Sequence, residues 1–313
     1  MKYSGIGGQA VIEGVMMRNK DRYAVAVRKP DGEIEVKTEH CKSADSRAAF
    51  FKWPFVRGIV NFIDSLVLGM STLSYSSSFY EDDDDKKKTP EQKKKSDAAF
   101  NVVTLVLSIV LAVGIFMVGP YYLSLFIGRY IQSDILLVAI EGVIRVLIFV
   151  AYVSLISLMK DIKRVYMYHG AEHKCINCIE HGMELTVENV KNSSKEHKRC
   201  GTSFLIIVMC ISIIVLMFVR FDSRILRMLS RIVLIPVIAG ISYEILRFTG
   251  THENGFINFI SKPGLWMQAI TTKEPDDEMI EVGIASVEAV FDWREYLKEN
   301  FEDNKDDSQT GDE

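Results

Sequence analysis

Only five cysteines occur in 313 residues, an odd number with no framework-like spacing outside one short cluster. That argues against a secreted fold stapled by disulfides and leaves the thiols reduced, free to act as ligands. Positive charge is not in excess either: 37 Lys and Arg stand against 41 Asp and Glu, for a net charge of -4. The chain therefore has no electrostatic footprint for nucleic acid. The opening MKYSGIGGQAVIEG lacks an apolar run followed by a cleavage site, so no signal peptide is expected. Gly5, Gly7 and Gly8 lack the following helix and Lys-Ser/Thr pair that a phosphate loop needs. They read as a flexible entry.

Apolar residues, in contrast, make up 48% of the chain and lie in blocks. Residues 1–48 read as an N-terminal β-meander: GQAVIEGVMMR, YAVAVRK and EIEVKTE alternate, and Pro30-Asp31-Gly32 sets a hairpin between the last two. Residues 49–80 change period. Phe51, Phe55, Ile59, Phe62 and Leu66 give an apolar face interrupted by Lys52, Arg57 and Asp64. This predicts an amphipathic interfacial helix anchored by Trp53, although periodicity alone suits a helix packed on the meander equally well. The charge run at 81–97, EDDDDKKKTPEQKKKSD, cannot bury a core and is expected to be a disordered insert.

Two transmembrane helices are expected in 98–159, where the runs 98–128 and 135–159 exceed the ~20 residues that a bilayer core requires. Two more are expected in 203–247. Ser203 to Val219 is short, and IVLIPVIAGISYEIL reaches full length only if extended back to Ile225, with Arg227 and Arg231 snorkelling to the headgroups. Between them, 160–202 is a His- and Cys-rich loop. Residues 248–301 form a C-terminal turn-rich link, KPGLWMQAITTKEP, and an amphipathic helix with Ile280, Ile284, Val287, Phe291 and Leu297 near helical spacing; 302–313 is a disordered acidic tail. The expected fold class is an α-helical integral membrane protein of about four transmembrane helices, with a small α+β cytosolic portion. Four spans put both termini and the 160–202 loop on one side, which then carries 31 Lys and Arg against 5 opposite. The positive-inside bias makes that side cytoplasmic, in the cell membrane. The arginines around 220–231 run locally against it.

The chemistry concentrates in residues 166–204, which hold four of the six histidines and three of the five cysteines. His169-Gly-Ala-Glu172-His173 has the form H-x-x-E-H. On a helix the two histidines share a face and can reach one metal ion, with Glu172 placed to act as a base or to orient a ligand. Cys175 and Cys178 form C-x-x-C, His181 follows, and His197-Lys-Arg-Cys200 supplies a further pair. Two sets are open: His169 and His173 with His197 or Cys200, leaving a position for water, or a closed set drawn from Cys175, Cys178, His181 and Cys200. A wet interfacial turn carrying histidines is the plain alternative. Glu141 and Arg145 lie four apart within the second span, where pairing as structural glue outweighs a conducting pathway; Glu244 sits near the end of the fourth.

GGQAVIEGVMMR, PFVRGIVNFIDSLVLGM, YHGAEHK, H-x-RCGTSF, PVIAGISYEILR and PGLWMQAITTKEP, in this order, resemble the YqhQ family of bacterial multi-pass membrane proteins. The resemblance covers nearly the whole chain outside 81–97 and the last dozen residues. It implies a metal-dependent enzyme whose motif residues fall on His169, Glu172, His173, His197 and Cys200. The family pattern commonly has proline where Lys198 stands here and does not reliably place cysteine at 175 and 178. This favours a metal set of His169, His173, His197 and Cys200, with Glu172 catalytic and zinc or another divalent transition metal as cofactor. The expected function is a metal-dependent, hydrolase-like membrane enzyme with an unspecified substrate. The rival is a non-catalytic scaffold, insertion factor or small transporter with a structural metal. The expected partner is the lipid bilayer, no nucleic acid is involved, and a homo-oligomer is compatible.

Overall fold

The computed structural model describes residues 2–41, 49–53, 56–80, 103–219, 221, 223–251 and 254–302. The expected insert at 81–97 and nearly all of the 302–313 tail lie outside them. Alternating apolar residues near the N-terminus form strands β1 (Gly7–Val11), β2 (Gly14–Asn19), β3 (Arg22–Arg28) and β4 (Ile34–His40), antiparallel and in sequential order. Lys20, at φ 53°, closes the two-residue turn after Asn19, and Gly32, at φ 89°, supplies the left-handed position after Pro30-Asp31. Both faces of the sheet are covered. Val15, Met17, Ala24 and Ala26 belong to one core, while Val11, Met16, Tyr23, Val25 and Val27 pack with Leu68, Tyr75 and Phe79. That explains why β3 is a continuous apolar run and not a strict alternation.

Helix α1 (Val56–Ser77) covers the second face. Gln9 Nε2 donates to Thr72 Oγ1 at 2.8 Å, and the Ile12 N–H donates to Ser76 Oγ at 3.1 Å. Lower down, Arg57 pairs with Glu244, and Asn61 Nδ2 donates to the Tyr243 hydroxyl at 2.8 Å. Of the two readings of 49–80, the helix packed on the meander is the one these contacts build. It packs on the sheet at one end, yet Val56–Tyr80 is long and apolar enough to cross a membrane.

Three further helices pass that same test by length and composition: α2 (Val103–Ile127), Ile135–Ile156 within α3 (Asp134–Ile156), and α6 (Gly201–Phe218). In α2 the register widens to a π-type turn at Gly114–Val118. Pro120 follows at once, and its missing N–H is the physical reason for such a break. The expected fourth span is two helices, α7 (Arg224–Val233) and α8 (Ile235–Thr251), which qualify only together and are bent by 40°. Pro236 sits at the break. Arg231 does not snorkel. It is buried and paired with Glu141, which also holds Arg145 at 2.8 Å.

The His/Cys-rich segment is not a loop but helix α4 (Lys160–Glu180), short helix α5 (Val187–Asn192) and a coil leading into α6. α4 ends with Gly182 at φ 81°, where the Met183 N–H reaches back to the Cys178 carbonyl at 3.1 Å. The expected turn-rich link is largely helix α9 (Gly255–Thr271), with Pro263 inside it. Tertiary packing overrides the proline, since Ile257, Gly264, Met267 and Gln268 are all buried. Helices α10 (Asp277–Glu288) and α11 (Trp293–Leu297) close the chain, and α10 lies on the sheet and on α4. The described residues are thus mostly helical, with four candidate membrane-spanning helices and one small antiparallel sheet.

Candidate metal centre

From Gly170 to Glu180 every residue of α4 is buried, so its polar side chains must find partners inside the protein. Three of these find them on backbone carbonyls at the end of α5 and in the coil after it. Lys174 Nζ donates to the Lys191 and Ser193 carbonyls, each at 2.9 Å. Asn177 Nδ2 donates to those of Ser194 and Glu196 at 2.6 and 2.8 Å. His173 Nδ1 donates to Lys195 O at 2.6 Å. From the other side, Gln268 on α9 accepts the His197 N–H at 2.8 Å and donates to its carbonyl at 2.7 Å. This clasp carries the chain to Cys200, the N-cap of α6.

Close backbone approach completes the frame. A Cβ on Gly170 would lie 2.0 Å from the Lys273 carbonyl, so only glycine lets the 271–275 segment press against α4. There the Thr271 carbonyl receives His169 Nδ1–H at 2.9 Å. A Cβ on Gly8 would lie 2.9 Å from Glu172 Cγ, so β1 supports the carboxylate from the sheet side.

A carbonyl oxygen can only accept, so each of these contacts places a proton on Nδ1 of its imidazole and turns Nε2 towards the interior of the group. His169 Nε2 lies 3.2 Å from Cys200 Sγ, and one ligand atom from each of His169, His173 and Cys200 falls within 4.8 Å of the others. Glu172 Oε2 stands 3.5 Å from His173 Nε2 and 3.9 Å from His169 Nε2. Burial alone would raise the Cys200 thiol and lower both histidines. The imidazoles of His169 and His173 instead hold the thiol well below its usual range. In return Cys200, together with Glu172, lifts His169 to about 9 and raises His173. The Thr202 N–H, donating to Sγ at 3.4 Å, adds helix N-terminal support for a thiolate.

His197 is not turned into this group. Its ring centroid is 5.6 Å from that of His173, but its Nε2 lies 3.2 Å from the Arg199 guanidinium and 3.7 Å from Glu180 Oε2. Cys175 and Cys178 lie in the apolar core, and burial raises both thiols. His181 caps α4 through the Asn177 carbonyl. The C-x-x-C set is therefore not assembled, and among the described residues His169, His173 and Cys200 are the group with metal-ligand spacing. Lys174, Asn177, Gln268 and Thr271 are supports that sequence reading missed. Gln268, a lone polar residue in the apolar run LWMQAI, is the one that carried a signal.

Comparison with known proteins gives a family without an activity. The family described as Protein of unknown function (DUF1385) matches residues 53–293. "Uncharacterized protein YqhQ" of Bacillus subtilis (strain 168) is 37% identical over 286 residues, covering 90% of each chain. No solved structure matches. With a family match across most of its length and a relative of this identity, the chain belongs to the YqhQ (DUF1385) family.

Proposed function

We propose that the chain is a metal-dependent membrane enzyme of hydrolase type, with zinc or a similar divalent transition metal held by His169, His173 and Cys200. One observation carries the reading. Both histidines have Nδ1–H anchored on a backbone carbonyl and Nε2 turned towards the same buried thiol. That is how metal-ligating histidines are oriented by their supports. Ligand N and S atoms at the usual zinc bond lengths stand about 3.3–3.7 Å apart, so the His169–Cys200 pair at 3.2 Å is already close to that spacing and separations of up to 4.8 Å need contract by about 1 Å. His197, braced by Glu180 and Arg199, holds the coil in place and is not a ligand in this reading.

A zinc-class ion with three protein ligands supplies Lewis acidity and lowers the pKa of water in its fourth position. The residues do the rest. Glu172, within 4 Å of both histidine Nε2 atoms, accepts and returns the proton. The carbonyls of Thr271 and Lys195 hold the two rings in place, and β1 backs Glu172 from the sheet side. The site faces the cytoplasm, with both termini, and the helices lie in the cell membrane; the charge asymmetry of the sequence supports this orientation.

Burial favours a second reading. Glu172 and His173 are 4% and 1% exposed, which suits an ion that only braces the coil against α4 in a non-catalytic scaffold, insertion factor or small transporter. Glu172→Gln separates the two when metal content and complementation of a deletion strain are measured together. Metal retained with function lost supports the enzyme; metal retained with function intact supports the brace.

A further inference from the structure

Away from the metal centre, the apolar helices enclose a charge imbalance. Glu141 on α3 is the sole carboxylate that the described residues offer to two guanidinium groups. Arg145 donates to it at 2.8 Å and to Ser212 Oγ at 3.1 Å. Arg231, entering from α7, bonds both carboxylate oxygens, through Nε at 2.8 Å and through one terminal nitrogen, while its other terminal nitrogen donates to the Arg227 carbonyl. All three are at least nine-tenths buried. Two cations against one anion leave a net positive charge where the surroundings are apolar, and such a charge is costly unless something neutralises it.

The neighbourhood holds unused donors as well. The Tyr121 hydroxyl and Arg145 Nε, both buried, have no hydrogen-bond partner among the described residues. Arg231 lies over the Tyr121 ring at 4.9 Å. Tyr121 and Arg231 line a cleft between α2 and α7 together with Val113, Met117 and Met228. The cleft is small, about 230 Å³ counted with its open mouth. Its lining is otherwise apolar, and Ile232, one of its walls, is exposed on the outer surface of α7. The π-type turn Gly114–Val118 forms its α2 wall, and such turns recur at binding sites.

We propose that this cleft binds a phosphate oxyanion, with one oxygen seated between the Tyr121 hydroxyl and the Arg231 guanidinium and its charge balancing the second arginine. Each terminal nitrogen of Arg231 keeps a second N–H, and a guanidinium N–H to a phosphate oxygen is a charge-assisted hydrogen bond. The apolar lining makes the headgroup of an anionic lipid the natural source, with free phosphate as the other.

The test uses the full chain in neutral detergent and reads the thermal unfolding midpoint during titration with three probes: phosphatidylglycerol, diacylglycerol and inorganic phosphate. Phosphatidylglycerol should raise the midpoint, whereas diacylglycerol, which has similar chains without the phosphate, should not. Tyr121→Phe keeps the packing and should raise the half-effect concentration by roughly tenfold, as expected for one lost hydrogen bond to a charged group. Arg231→Gln should abolish the response, and Glu141→Gln, which frees both arginines, should shift it to lower concentration. Inorganic phosphate acting alone, with the same sensitivity to Tyr121→Phe, supports the oxyanion site and assigns its occupant to solution. Equal shifts from phosphatidylglycerol and diacylglycerol, or a phosphatidylglycerol response unchanged in Tyr121→Phe, overturn the proposal even if Arg231→Gln does not fold.

Discussion

His169 Nε2 and Cys200 Sγ stand 3.2 Å apart although 31 residues separate them in sequence. Neither atom reached this position by local structure. The helix brings one, and a clasp on backbone carbonyls brings the other.

That relationship predicts metal content residue by residue. Gently purified wild-type protein should carry about one zinc-class ion per chain, and His169→Ala, His173→Ala and Cys200→Ala should each lose it. His197→Ala should keep it, because its Nε2 is engaged with Arg199 and Glu180. Elemental analysis of the four variants decides, and a metal-free His197→Ala that is otherwise folded would return His197 to the ligand set.

Gln268→Leu should destabilise the protein without touching a ligand. It preserves bulk but leaves the buried N–H and C=O of His197 without their partner, at a cost of roughly 3 kcal/mol. Unfolding in detergent should show this as a lower midpoint, with metal affinity falling in parallel.

Gly170→Ala should be more damaging than its size suggests. The new methyl would sit 2.0 Å from the Lys273 carbonyl, a backbone atom that cannot rotate away. Destabilisation of roughly 3 kcal/mol is expected, visible as loss of monodisperse protein on size exclusion.

Acid should loosen the same region through Glu180. Burial alone would raise its carboxyl, but His197, Arg199 and Ser4 hold it at about 2, below its ordinary 4.5. A carboxylate depressed in the folded state contributes stability that is complete above the unfolded value and is lost as pH falls through the folded one. Stability should therefore drop between about pH 4.5 and pH 2, and Glu180→Gln should flatten that part of the profile while lowering stability at neutral pH.

Orientation can be checked at Ser194, which is exposed in the coil after α5. A Ser194→Cys variant should resist a membrane-impermeant thiol reagent in intact cells and react once the cells are opened. Labelling in intact cells would invert the proposed topology.

The sequence by itself determined that three of the stretches, within 98–128, 135–159 and 203–219, are apolar enough to span, where the N-terminal strands lie, and that His169 and His173 would share a face if their segment were helical. Each of these is a periodicity or a length, and both are local properties of residue type. The rest was decided in three dimensions. Cys200 joins the histidines, and His197 does not, because Lys174, Asn177, His173 and Gln268 bind carbonyls of residues 191–197. Every residue carries a carbonyl, so a clasp built on them leaves no mark in residue type. Arg231 looked like a snorkelling charge because its partner, Glu141, lies 90 positions away. In a bundle of apolar helices, the pairing of the few buried charges depends on which faces meet, and only packing specifies that.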